Sequence, residues 1–461
     1  MMFFIGHLCH AQAIIDSSSS IKNTSYKKLI IGDIQVSGNK KTKEYIILRE
    51  VVFKKGDTVI AADLPLLLKQ SRDYVYNTTL FVDDSVYVAR QTENIVFINV
   101  VVKERWYFFP LPYFRLVDRN INQWLVEQHA SLERVNYGVK LTHNNLTGRN
   151  DKLNIWVIGG YNQQLTLRYE LPFFDKTLKH GFSAGITYAR QHEVNYTTSL
   201  DNKQLFFKYD TAFTRSVTRA DIVYSYRPGR KLRFYFRTGF NSEWVADTVM
   251  KINPNYYPQG HTHVQYVDFL ATLQYFNVDY NAYPTKGFIG QVSLYKRGLD
   301  NVNNFWQMAA RAYYIKPLFN KTFASVDAAA TVKLPYNPYF YNQSIFGYGY
   351  FQLRGQEYNV VDGMVGLLSK FTVNREIFNF VVKNPIRSKS HDKIPFKFYL
   401  KGYTDIGYAY NPYVSNNLLN NKFMYTYGLG LDVVSIYDFV FRLEYSFNQL
   451  GVNGIYLHAR D

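Results

Sequence analysis

Cysteine is almost missing from this chain: Cys9 is the only one in 461 residues. A disulfide framework, a cysteine-ligated metal and thiol catalysis are excluded together. Long apolar runs are missing too. None approaches the roughly 18 residues that a membrane-spanning helix needs. No nucleophile elbow, phosphate-binding loop or metalloprotease helix motif occurs, so no catalytic, cofactor or metal residues are expected and the chain does not read as an enzyme. Acidic charge is short: 36 Asp and Glu against 53 Lys and Arg leave a net +17. That excess is spread along the chain without a nucleic-acid motif, so nucleic acid is not an expected partner. Anionic outer-membrane lipid headgroups and lipopolysaccharide phosphates suit it better.

Aromatic residues are plentiful, with 41 Tyr and 35 Phe, as expected for girdles at two membrane interfaces. From about residue 132 onward, short segments alternate apolar and polar side chains. In 438–447, Phe439, Phe441, Leu443, Tyr445 and Phe447 fall on one face. Val440, Arg442, Glu444 and Ser446 fall on the other. A strand shows its two faces with period two. Arg442 and Glu444 are incompatible with lipid, and the aromatic face is unsuited to water. A closed barrel with an apolar outside and a polar lumen satisfies both, and closure leaves no unpaired edge in the bilayer. Mean hydropathy of −0.24 fits this and not a helical membrane protein. Sixteen segments are expected, starting near 132, 151, 163, 180, 202, 217, 230, 262, 287, 304, 322, 364, 395, 424, 437 and 453.

The chain before the barrel has a different character. Residues 1–13 read as a signal peptide ending in Ala11-Gln12-Ala13, and 14–28 as a flexible tether. Residues 29–105 read as strand, helix, helix, strand, strand, with Thr42 a candidate helix cap. Residues 106–131, with Pro110 and Pro112, read as an extended connector at the periplasmic rim, with Trp124 as an anchor. The barrel is then assigned to 132–461.

Ile34-Gln35-Val36-Ser37-Gly38-Asn39, Thr79-Leu80-Phe81 and Val100-Val101-Val102-Lys103-Glu104 make 29–105 resemble a POTRA domain. POTRA domains are periplasmic modules that hand unfolded chains to an outer-membrane barrel. In the long loop 334–362 stands Gln352-Leu353-Arg354-Gly355-Gln356. Val373-Asn374-Arg375-Glu376 and Tyr403-Thr404-Asp405-Ile406-Gly407 follow it. Together these resemble the BamA/TamA-type outer-membrane insertase and two-partner-secretion transporter superfamily. Gln356 stands where that family has an aromatic, and Tyr403 where it has Phe.

The resemblance implies that Arg354, with Gly355 at the loop tip, lies in the lumen and pairs with Asp405 and Glu376. A guanidinium in a narrow lumen needs planar acceptors, and carboxylates on neighbouring strands supply them. The implied fold is a β-rich, sixteen-stranded transmembrane antiparallel barrel preceded by one small α+β POTRA-like domain. The implied location is the bacterial outer membrane, with that domain in the periplasm. The implied function is assembly or translocation of unfolded outer-membrane or secreted clients, with periplasmic or lipoprotein accessory subunits as further partners. A barrel anchor or scaffold and a passive channel are the alternatives. Client contact is expected at an exposed sheet edge, the strand from Phe81 to Arg90, where Val82, Val86 and Val88 are the β-formers and Asp83, Asp84 and Arg90 guard the edge.

Overall fold

The computed structural model describes residues 27–117, 129, 131–209, 211–349, 351–383, 393–414 and 416–460. The leader, residues 14–26 of the expected tether, Trp124 and most of 118–131 lie outside them, and Lys28, the tether's expected last residue, opens the first strand. Among the described residues no helix is long and apolar enough to cross a membrane.

The N-terminal unit has β1 (Lys28–Ser37), α1 (Glu44–Leu48), β2 (Thr58–Ile60), α2 (Leu64–Tyr76), β3 (Phe81–Gln91) and β4 (Ile95–Glu104). Its sheet order is β2-β1-β4-β3. The sequence reading lacked the short β2, whose three residues are too few to show a period. Ile31, Ile46, Ile47, Val51, Val75, Phe81, Ile98 and Val100 pack in one core between the sheet and the helices. Thr42 does not cap α1: the N-cap is Lys43, with no side-chain cap bond. The Thr42 hydroxyl instead pairs with Tyr107 Oη at 3.0 Å and accepts from Asn145 Nδ2 at 2.9 Å.

The remaining strands are β5 (Phe108–Leu116), β6 (Val135–Asn144), β7 (Lys152–Gly160), β8 (Gln163–Leu171), β9 (His180–Gln191), β10 (Glu193–Thr198), β11 (Gln204–Lys208), β12 (Arg215–Tyr226), β13 (Leu232–Val245), β14 (His263–Val278), β15 (Gly287–Arg297) and β16 (Phe305–Phe319). Then follow β17 (Thr322–Leu334), β18 (Ser344–Phe346), β19 (Val361–Asp362), β20 (Val365–Lys383), β21 (Lys393–Tyr410), β22 (Phe423–Val434), β23 (Val440–Asn448) and β24 (Asn453–Arg460). Sixteen of these form one antiparallel sheet running from β5 to β24, which is the barrel wall. β10 with β11, and β18 with β19, form separate pairs off the wall.

The count of sixteen agrees with the sequence reading, but two of its members differ. The segment near 202 is not in the wall. β9 pairs directly with β12, and β11 folds onto β10 as an outer hairpin. The wall instead begins at Phe108, inside the stretch taken for a connector. Pro110 and Pro112 argued against a strand there, yet a proline is tolerated at an edge where its missing N–H leaves no bond unmade. Turn chemistry alone does not separate a loop hairpin from a wall hairpin, so the second error offset the first.

Side chains along the wall follow the expected alternation. Ile455 is 71% and Leu457 62% exposed on the lipid side, while Glu444 is 2% exposed on the lumen side. The periplasmic unit sits against the turns at one end of the barrel. Lys43 N donates to Gly148 O at 2.9 Å and Arg49 Nε to Leu178 O at 2.7 Å. Arg227 Nη1 pairs with Glu50 at 2.9 Å, and Arg105 Nη1 with Asp438 at 2.7 Å. Asn77 accepts from Asn281 N at 2.9 Å. Five turns spread around the rim are therefore tied to one small domain. At the other end, α3 (Asp247–Ile252) and Tyr256, Tyr257 and Val264 form a second apolar cluster with the loop aromatics Phe340 and Tyr341.

Candidate functional site

The loop between β17 and β20 leaves the outer end of the wall and turns back into the lumen. Three inward positions of β21 receive it, at the spacing of two that keeps side chains on one strand face. Tyr403 lies under the Arg354 guanidinium, 3.8 Å from carbon to ring centroid. Asp405 is fully buried and takes the guanidinium with both oxygens. Arg354 Nε donates to Oδ2 at 2.9 Å and to Oδ1 at 3.2 Å, Nη2 also pairs with Oδ1, and the Arg354 backbone N–H donates to Oδ2 at 3.0 Å. Gly407 has no side chain because the loop needs the room. A Cβ there would stand 2.9 Å from Phe346 Cζ and 3.2 Å from Leu353 Cδ1.

Gly355 answers two demands at once. Its φ of +83° lies in the left-handed region, and a Cβ would come 2.7 Å from Ser446 Cβ. Its carbonyl accepts from Asn448 Nδ2 at 2.7 Å. Gln356 is 5% exposed and donates to Gln449 Oε1 at 3.3 Å. A polar contact to the β23–β24 turn stands where the resemblance would put an aromatic ring. Leu353, Phe346, Phe351 and Ile345 form an apolar cluster with Leu368, Ala409 and Met424 of the wall, so the loop is held by packing as well as charge.

Glu376 is not part of the clamp, which corrects the sequence reading. The β20 residue opposite Asp405 is Lys370, and Glu376 pairs opposite Tyr399. Six positions along the strand put it about 20 Å away. There it meets Lys321 Nζ at 3.4 Å and accepts from Tyr399 Oη at 3.4 Å. Glu444 of β23 is the second carboxylate near the guanidinium, 3.9 Å from Arg354 Nη1. Lys401 bridges Glu444 at 2.6 Å and Asp432 at 2.5 Å. Thr372 Oγ1 accepts from Arg354 Nη2 at 3.1 Å. The alternation in 438–447 had already put Glu444 on the lumen face. Its height in the barrel had no signal in the sequence.

The expected client edge is an edge. β3 ends the periplasmic sheet, with β4 on one side and no further strand on the other among the described residues. Register shifts at 81/83 and 88/90 mark two bulges, a usual guard of exposed edges. Val86 and Val88 turn their side chains onto the domain core, so the edge is offered by backbone alone. Val82 sits at the first bulge. Asp84 is 4% exposed, and its two oxygens have no hydrogen-bond partner among the described residues. Burial pushes its carboxyl up to about 7, against the pull of Arg72 3.7 Å away.

Two family models match the chain. One, described as POTRA, surface antigen variable number repeat, matches residues 29–105. The other, described as the Omp85 superfamily domain, matches residues 145–448. No curated protein matches in sequence. Among solved structures, BamA from Haemophilus ducreyi lacking POTRA domains 1–3 is similar at 14% identity and TM-score 0.50, covering 94% of this chain and 83% of that one. CdiB from Escherichia coli aligns at 9% identity and TM-score 0.48, covering 97% and 91%. CdiB from Acinetobacter baumannii aligns at 12% and 0.49, covering 94% and 73%.

Proposed function

The chain belongs to the Omp85 superfamily, and we propose that it receives unfolded client proteins in the periplasm and inserts them into the outer membrane or passes them across it. It is an outer-membrane barrel with a periplasmic POTRA domain. The observation that carries the proposal is the occupied lumen. A passive pore gains nothing from a buried guanidinium–carboxylate clamp that fixes a long loop inside it, and Arg354 on Asp405 does that here. A domain tied to five periplasmic turns also stands in the way of free diffusion.

The mechanism needs no cofactor and no covalent step. A client strand adds to β3 through backbone hydrogen bonds, which suit many client sequences. The barrel then takes the client at its wall or through its lumen. Outer-membrane or secreted proteins are the clients, with periplasmic or lipoprotein subunits as accessories, and lipopolysaccharide phosphates meet the basic surface. Depletion of the protein followed by an outer-membrane proteome tests this. Selective loss of barrel or surface proteins is expected, and an unchanged proteome sinks the proposal. Val86→Pro should lower client assembly while the barrel keeps its heat-modifiable migration on gels. Full client levels in that variant rule out strand addition at β3.

A further inference from the structure

The hairpin of β20 and β21 outruns its neighbours at the periplasmic end of the wall. On one side β17 ends with Thr322 opposite Arg375, and Glu376 N donates to Lys321 O at 2.9 Å in the turn before it. On the other side β22 ends with Val434 opposite Lys397, and Ser435 Oγ donates to Pro395 O at 3.1 Å just beyond. Phe378 to Lys383 therefore pair with β21 alone. Five turns hold the periplasmic domain, but among the described residues no hydrogen bond or ion pair ties this hairpin to it.

The projecting ribbon has two unlike faces. The pairs Phe378–Phe398, Phe380–Phe396 and Val382–Ile394 share one face. Asn379–Lys397, Val381–Pro395 and Lys383 share the other. The period of two along β21 shows where each face looks. Tyr399 is buried inside the rim with Tyr283 and Phe323, and Leu400 is exposed on the lipid side. Even-numbered residues of β21 thus face lipid, and Phe398, Phe396 and Ile394 carry that face past the rim. No outward position of β21 from Tyr408 down to Ile394 bears a charge. The rings lie against one another. Phe380 is 5.7 Å from both Phe396 and Phe398, and Phe378 is 6.5 Å from Phe398. Phe378 is still 63% exposed and Phe380 48%. Arg375, opposite Leu400, is the cation on this face, exposed at the level where β17 ends. No carboxylate pairs with it among the described residues.

A face of stacked phenylalanines needs a cover, and its setting indicates which. It is continuous with the lipid-facing wall. The guanidinium at its upper margin suits headgroup phosphates. Phe378 and Val382 are separated by about 13 Å of strand. Strand tilt, and the bulge at Ile377 that bends the ribbon where it leaves the wall, keep that length near the headgroup layer. We propose that the β20–β21 ribbon is a membrane anchor: its phenylalanine face inserts among the phospholipids of the periplasmic leaflet, Arg375 binds their phosphates, and Lys383 and Lys397 stay in water on the opposite face. Amphipathic surface elements bind bilayers in this way. The inference needs only the barrel's place in the outer membrane and stands whether or not the protein assembles clients.

Site-directed fluorescence tests it. Cys9→Ser removes the native thiol from the full chain. Phe380→Cys, Val381→Cys or, as a wall control, Leu400→Cys is then added and labelled with an environment-sensitive fluorophore. Each protein is placed in phosphatidylcholine–phosphatidylglycerol liposomes, and heat-modifiable migration confirms the folded barrel. Brominated acyl chains quench from within the bilayer, and acrylamide quenches from water. The label at 380 should behave like that at 400, quenched by brominated chains and several-fold less open to acrylamide than the label at 381. Equal acrylamide quenching at 380 and 381 overturns the inference. Shielding at 380 from both quenchers also overturns it, because a second copy or the chain itself then covers the face. Arg375→Glu should weaken brominated-chain quenching at 380 and leave it unchanged at 400. An unchanged signal at 380 in that variant overturns the phosphate contact.

Discussion

The periplasmic domain and the barrel bury opposite kinds of side chain. In the domain, Ile31, Val51, Val75 and Phe81 are inside, and Asp84 is a buried carboxylate without a hydrogen bond among the described residues. In the barrel, Asp405, Glu444, Lys401 and Asp432 are inside, while Leu429, Ile455 and Leu457 are outside. One rule covers both: each side chain goes to the medium that suits it. Only the medium differs, water around the domain and lipid around the barrel. The price is that charge must be paired wherever it is enclosed. The barrel meets that condition with a network from Asp405 through Arg354 and Glu444 to Lys401 and Asp432. The domain meets it only loosely at Asp84, whose one cation, Arg72, stands 3.7 Å away.

The largest break of that contrast is expected at the clamp. Arg354→Ala leaves Asp405 buried without its cation, and removing one partner of such a pair costs about 3–5 kcal/mol. The loop should then leave the lumen, read as a rise in single-channel conductance in planar bilayers. Asp405→Asn should do the same. Glu376→Gln should not, because Glu376 lies outside the clamp.

A sharper comparison puts one substitution in both media. Leu429 is 65% exposed near the middle of β22, and Leu66 is 57% exposed on α2. Leu429→Arg should destabilise the barrel by about 2–4 kcal/mol, the cost of a cation at the bilayer midplane. Leu66→Arg should change stability by less than about 0.5 kcal/mol. Urea unfolding from liposomes measures the first, and thermal unfolding of the periplasmic domain within the full chain measures the second. Equal effects would mean that the β22 outer face does not meet lipid.

A smaller effect of opposite sign is expected at Asp84. Its folded pKa stands near 7, above the unfolded value of 3.8. Below the unfolded value both states are protonated and the group is neutral to stability. As pH rises towards the folded value the unfolded chain ionises first, so stability falls, and the loss is complete above about 7. Asp84→Asn should therefore stabilise the domain at pH 8 and change little near pH 4. A pH-independent gain would mean that desolvation is not the cause.

The smallest effect is expected at the junction. Thr42→Val removes the hydroxyl that links Tyr107 and Asn145, a change of about 1 kcal/mol. Faster amide exchange around Gly148 is the readout, since Lys43 N donates to its carbonyl. Unchanged exchange would place the hold on the domain with Arg105 and Glu50 instead.

Much of this was open to a reader of the residues alone. The period of two in 438–447 fixed which side chains face lipid, because a strand has only two faces. The period of two also put Tyr403, Asp405 and Gly407 on one face, and the family resemblance of the Arg-Gly tip and the Tyr-x-Asp-x-Gly strand implied that Arg354 pairs with Asp405. What the sequence could not supply was height and neighbour. Glu376 and Glu444 both face inward, and only the register of β20 against β21 and of β23 against β22 shows that Glu444 is level with Arg354. Pro110 and Pro112 read as a break, and only the pairing of β5 with β6 shows that their missing donors point away from β6, on the outer side of the strand that ends the sheet. Local pattern decides the face of a strand because sterics alternate residue by residue. Level, partner and edge are decided when the wall curls and its strands slide into one shared register, which no segment determines by itself.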